Sequence, residues 1–283
     1  MKRIILVSLI ALSSCTGSRA AGRALPPTSP QLAPTNDEDR VTVAFSDSTH
    51  PGLLRVSLIN GSISVKAYNG KDVIVEAQPR DLPSPSPATA GLHRLPILST
   101  GLRIEEQNNE IKVETDSVRR PVRVNIQVPV RTNLNLHAVN GGAIEVEGVE
   151  GEIAINDTNG RISAKDVAGS VTARSVNGAV LVTMRKVTPG KALSFISHNG
   201  AVDVTLPADL KANTQMRTEH GSVWTDFEVQ TRQPSAPIIQ DLRAQGGGYR
   251  LDIDRSVQGT INGGGADLTL TTFNGSIFIR RGK

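Results

Sequence analysis

The residues of this chain that could carry chemistry are few and widely spaced. Histidines fall at His50, His93, His137, His198 and His220. None has the close spacing of a zinc-binding helix motif, and the single cysteine, Cys15, is remote from all of them. His198 and His220 stand near glycine-marked bends, and stacking of repeats would bring them close as polar side chains at those bends. A polysaccharide hydrolase or lyase needs two carboxylates, or a base with metal-binding carboxylates, at one cleft. Asp203, Asp226, Asp252 and Asp254 qualify only if the late strands align them, and solvent-facing aspartates on strands are ordinary solubilising residues. The remaining candidate is Trp224, the sole tryptophan. An indole offers a flat apolar surface with a polar edge. Its register places it outward, where it is either a ligand contact or is covered by residues 233–237. This pattern leads us to expect a non-enzyme with no cofactor and no metal.

The elements that would position these residues are set by a strict period. Glycines recur every nine residues at Gly142, Gly151, Gly160, Gly169 and Gly178, each followed two places later by Ile144, Ile153, Ile162, Val171 and Val180. Two places further stand Val146, Ile155, Ala164, Ala173 and Val182. Residues two apart share a face of a strand, so each unit has one aliphatic face and one small or polar face. A strand this short cannot bury an apolar face alone, and near-identical units must stack to share an interior.

The bends alternate in type. Asn159-Gly160 and Asn177-Gly178 are one kind, Glu150-Gly151 and Ala168-Gly169 the other, which predicts two strands and two corners per coil of about two units. Positive φ is expected at Gly160 and Gly178. Ile144, Ile162 and Val180 should then form one ladder, and Ile153 and Val171 a second. The same signature recurs more loosely at Asn60-Gly61, Asn140-Gly141, Asn199-Gly200, His220-Gly221 and Asn274-Gly275. The predicted fold is all-β, a single-stranded right-handed parallel β-helix, or β-solenoid, with a β-rich N-terminal cap. Calcium-binding β-rolls also repeat every nine residues, but they need paired glycines and a fixed aspartate. Here Asp157 and Asp166 share a slot with Gly148 and Ser175, so calcium is not expected.

Lys2 and Arg3 precede the apolar run from Ile4 to Leu12, which has the length of a signal-peptide core and is too short to span a bilayer. Leu12-Ser13-Ser14-Cys15 resembles the bacterial lipobox, at which the cysteine is lipidated; cleavage after Ala20 is the alternative. Residues 1–14 read as signal peptide and 15–40 as a lipidated N-terminus with a Pro/Ser-rich tether. Residues 41–283 read as the β domain, with 78–100 a Pro-rich loop insertion. The 31 basic side chains fall to 29 without Lys2 and Arg3, against 27 acidic, which is no nucleic-acid signature.

Thr158 to Ile162 and Val176 to Val180, with Val128-Pro129-Val130 and Leu206-Pro207-Ala208, resemble a bacterial putative-adhesin β-helix family carried as a domain of unknown function. They are also similar to autotransporter adhesin head domains. The resemblance implies a β-helix on exported or membrane-anchored proteins and supplies no catalytic residues. The expected function is a non-catalytic, exported, lipid-anchored envelope protein, at the outer membrane or cell surface, whose β-solenoid is a binding or structural module with an unidentified envelope or surface ligand as partner. A polysaccharide-active enzyme and a self-assembling scaffold are the alternatives.

Overall fold

This computed structural model describes residues 39–79, 100–115, 121–232, 238–241, 248–252 and 256–283. Cys15, the signal segment, the tether, most of the 78–100 insertion, residues 233–237 and Asp254 lie outside them. The described chain is all-β and contains no helix. Eighteen of its strands form one open hydrogen-bonded sheet, and Ile238–Asp241 and Tyr249–Asp252 form a separate antiparallel hairpin.

Within the large sheet the pairings run along two ladders. In the first, residues 52–60, 132–140, Glu150–Asn159 and 168–175 pair in parallel. In the second, residues 61–66, 144–147, 162–165 and 180–183 do the same. Long strands such as Gly52–Tyr68, Thr132–Glu147 and Ile162–Ser175 bend from one ladder into the other.

The register follows the sequence period doubled. Ile144 pairs with Ile162 and Ile162 with Val180 in the second ladder, while Ile153 pairs with Val171 in the first. Rows of like aliphatic residues result, such as Leu54, Leu134, Ile153, Val171 and Leu193, each at most 2% exposed. The buried faces of both ladders meet in one hydrophobic core. Full burial of each such side chain contributes about 1.5–3 kcal/mol. Alternation along Val122, Val124, Ile126 and Val128 obeys the same rule, and all four are buried.

Both ladders end in antiparallel strands on the N-terminal side. Leu102–Gln107 turns through Asn108 and Asn109, with φ of 54° and 63°, into Glu110–Thr115, and Asp39–Ala44, Asp72–Pro79 and Val122–Pro129 close the second ladder.

Two expectations about the bends are overturned. Gly160 and Gly178 do not take positive φ. Glycine is required there because consecutive backbones touch: a Cβ on Gly178 would stand closer than 3.0 Å to the Gly160 carbonyl oxygen, and one on Gly160 equally close to that of Gly142. The second bend is also displaced. Positive φ falls at Gly148 (74°) and Asp166 (53°), and again at Gly169 (116°), while Glu150-Gly151 and Ala168-Gly169 lie within strands and pair with each other.

Candidate functional site

The Asn-Gly bends stack into one edge of the molecule. Asn159 Nδ2 donates to Asn140 Oδ1, Asn177 to Asn159 and Asn199 to Asn177, each at 2.8 Å, and Asn274 to Asn199 at 2.7 Å. Each amide satisfies its neighbour one pass away, an arrangement open only to a side chain carrying both donor and acceptor. Gly160, Gly178, Gly200, Gly275 and Gly221 follow in the same order. His220 occupies the asparagine position beyond Asn274. His198 and His220 do approach each other, with Phe273 between them: its ring centroid lies 5.0 Å from that of His198, stacked, and 5.2 Å from that of His220, edge-on. Among the described residues no cluster of His, Cys, Asp or Glu could hold a metal ion.

Just inside this edge a second row carries hydroxyls. Ser175 Oγ donates to Gly160 O at 3.0 Å, Ser197 to Gly178 O at 2.8 Å and Thr272 to Gly200 O at 2.8 Å. Asp157 fills the equivalent place one pass earlier, paired with Ser175 in register. Its side chain is 4% exposed, Oδ1 accepts the Asn159 N–H at 3.2 Å, and Oδ2 is buried without a hydrogen-bond partner. Burial raises its pKa to about 6 against the pull of the Asn159 and Thr158 N–H groups.

The outward row of the second ladder carries the ligand-capable surface. Leu181, Asp203, Phe278 and Trp224 follow one another across neighbouring strands. Trp224 is 61% exposed. Phe278 is half-buried beside it. The Arg280 Nε and Nη2 donate to Asp203 Oδ1 and Oδ2 at 2.8 and 2.9 Å, and its guanidinium lies 5.5 Å from the Phe278 ring centroid. Asp226 Oδ1 accepts the Arg281 N–H at 2.6 Å, and the Arg281 guanidinium sits 5.2 Å from the Phe227 ring. A cleft of about 190 Å³ opens between Trp224, Thr225, Asp226, Phe278, Ile279 and Arg280.

Chemically this is an aromatic floor with a rim of one carboxylate, Asp226, and one guanidinium, Arg280, the latter paired with Asp203. It suits stacking on the apolar face of an uncharged ring while the rim exchanges hydrogen bonds with hydroxyls. Of the four aspartates singled out by sequence, Asp203 and Asp226 lie here, and Asp203 has both oxygens bound to Arg280. Phe278 and Arg280 were not anticipated; the only signal was the Asn274-Gly275-Ser276-Ile277 bend, which puts Phe278 in the outward register.

A second cleft, of about 370 Å³, lies near the N-terminal end and includes Phe45, His50, Tyr68, Lys71 and Arg131. There the Asp47 carboxylate accepts Thr49 N–H and Oγ1 at 2.8 and 2.6 Å and holds His50 Nδ1 at 2.7 Å. The Thr49 hydroxyl and His50 hold the Asp47 carboxyl well below its ordinary pKa. The group satisfies itself within four residues and is exposed, as in a turn.

No protein-family model and no curated protein matches the chain. Among solved structures it is similar to a putative cell adhesion protein from Clostridium sporogenes, with 8% identity and a TM-score of 0.42 over 87% of this chain and 100% of that one. It is also similar to a putative adhesin from Bacteroides fragilis, with 9% identity and a TM-score of 0.33 over 88% and 98%. A putative adhesin from Parabacteroides merdae has 7% identity and a TM-score of 0.24 over 88% and 98%.

Proposed function

We propose that this chain is an exported, non-catalytic binding module held at the cell envelope by lipid on Cys15, and that its ligand face is the surface around Trp224. Its scaffold is a right-handed single-stranded parallel β-helix with two ladders per coil, a reading supported by the 18-residue offset of Ile144, Ile162 and Val180. The ligand is an uncharged saccharide. The observation that carries this reading is a 61% exposed indole in line with Phe278, beside an Arg280 whose guanidinium is paired with Asp203.

Because Trp224 is the only tryptophan, its fluorescence reports this face alone. Cellohexaose or maltohexaose should shift that emission saturably, whereas polygalacturonate should not. Trp224→Ala should weaken retention on the same neutral glycans at least tenfold while leaving the circular dichroism spectrum unchanged, since an aromatic anchor commonly dominates such contacts. Full retention by the folded variant would remove this face from the site. The anchor has its own measurement: Cys15→Ser should move the protein from the membrane fraction to the soluble fraction, or leave it unprocessed, and unchanged membrane association would point to a protein partner.

A further inference from the structure

From Thr132 to Leu206 each pass through the two ladders stacks on the pass before it, but the last two do not keep this order. Leu193–Asn199 pairs with Ala266–Asn274, which in turn pairs with Ala212–His220. Likewise Ile277–Arg281 lies between Val202–Leu206 and Val223–Thr225. The C-terminal pass is thus inserted between two passes that are consecutive in sequence.

Both walls of this slot make the same contacts. Thr272 Oγ1 donates to Gly200 O at 2.8 Å, and Thr218 Oγ1 donates to Gly275 O at 2.8 Å. Val202 N–H donates to Ser276 O at 3.1 Å, and Ile277 N–H to Ser222 O at 2.9 Å. With Ala266–Arg281 withdrawn, Thr218, Gly221 and Val223 would meet Gly200 and Val202 in the register those residues now keep with Thr272, Gly275 and Ile277. The connection has a suitable hinge. Val257–Ile261 pairs with one side of Ala212–Met216 and Ala266–Leu270 with the other, and the chain crosses between them through Asn262, Gly263 and Gly264 at φ of 49°, 83° and 86°. Two of these three residues are glycines, for which such φ carries no Cβ penalty.

We infer that the C-terminal pass is an insertable element with an alternative state in which Ala212–Thr225 seats directly on Leu193–Leu206, and that insertion assembles the Trp224 cleft. The second clause rests on the reading of that cleft as the ligand face. Phe278, Ile279 and Arg280 come from the inserted pass, while Trp224, Thr225 and Asp226 come from the pass it displaces. Withdrawal removes half of the cleft, and Asp203 loses Arg280. A ligand held by both halves binds only the inserted state and draws the equilibrium toward it.

Disulfide geometry separates the two states. Residues 201 and 222 flank Ser276 and lie two rungs apart when the pass is inserted, about 9.6 Å at a rung spacing of ~4.8 Å. They become adjacent on withdrawal, and a disulfide requires Cα atoms about 4.4–6.8 Å apart. In the full chain carrying Cys15→Ser, the pair Ala201→Cys and Ser222→Cys should oxidise slowly. Closure should expose residues 266–283 to protease, with reduction restoring protection. The control pair Ser222→Cys and Ser276→Cys should close readily and protect that segment. Failure of the 201–222 bond to form under conditions that close the control, or its formation with the last pass still protected, overturns the alternative state. These readouts need no ligand. Cellohexaose should bind the 201–222 form at least tenfold more weakly than the 222–276 form. Equal binding, or none in either, overturns the gating, and the absence of binding in both also counts against the saccharide reading.

Discussion

Gly178→Ala should destabilise the protein by about 4 kcal/mol or prevent its folding, although the residue lies in an unstrained backbone region. Its neighbour across the ladder is not a flexible side chain but the Gly160 backbone, with Gly160 O, Gly160 C and Arg161 N around the position of the new methyl group. Relief requires the two passes to separate at this corner. Separation would stretch the Asn177–Asn159 amide bond and the Ser175–Gly160 bond on either side. Gly190 is the contrasting case. It has φ of 75° and nothing within 4 Å of where a methyl group would stand, so Gly190→Ala should cost only the left-handed strain of about 1–2 kcal/mol. Urea denaturation of both variants gives the ranking. A larger loss at Gly190 would mean that the Asn-Gly corners select glycine for backbone conformation and not for close approach.

That contrast also marks what the sequence could and could not convey. The doubled period was legible because a row of Ile144, Ile162 and Val180 needs only alternation and spacing. The reason for the corner glycines was not, because Asn-Gly is equally the signature of a positive-φ turn and of a backbone contact. Aligning Val223 with Val202 placed Trp224 outward, but the strand between them could not be seen. Every Asn-Gly-x-Ile or Asn-Gly-x-Val bend satisfies the same slot, so local sequence specifies register without specifying which pass is the neighbour. The nine-residue repeat also equates positions that an 18-residue pass separates. Asp157 and Asp166 share one slot, yet Asp157 is buried in the hydroxyl row and Asp166 turns an exposed corner at φ of 53°.

Asp157 should make the fold less stable as pH rises through 6, and Asp157→Ser should abolish that loss. Its pKa is raised from 3.8 to about 6, so the folded state holds this proton more tightly than the unfolded chain does. The contribution is complete below about pH 4 and disappears as pH climbs past the folded value. At neutral pH the ionised carboxylate therefore destabilises the native state by about 3 kcal/mol, the equivalent of roughly two pH units. The cause is local. Where Ser175 and Ser197 donate a hydroxyl to the carbonyl of the preceding pass, Asp157 has a buried Oδ2 that can act as a donor only when protonated. Serine at 157 supplies that donor at every pH. Urea midpoints at pH 4, 5, 6 and 7.5 should show the variant gaining about 2–3 kcal/mol on the parent at pH 7.5, and the gain shrinking toward pH 4. Other titrating groups are common to both proteins and cancel in the difference. A constant offset between the two curves would show that Asp157 has an ordinary pKa and that the row accepts a carboxylate as readily as a hydroxyl.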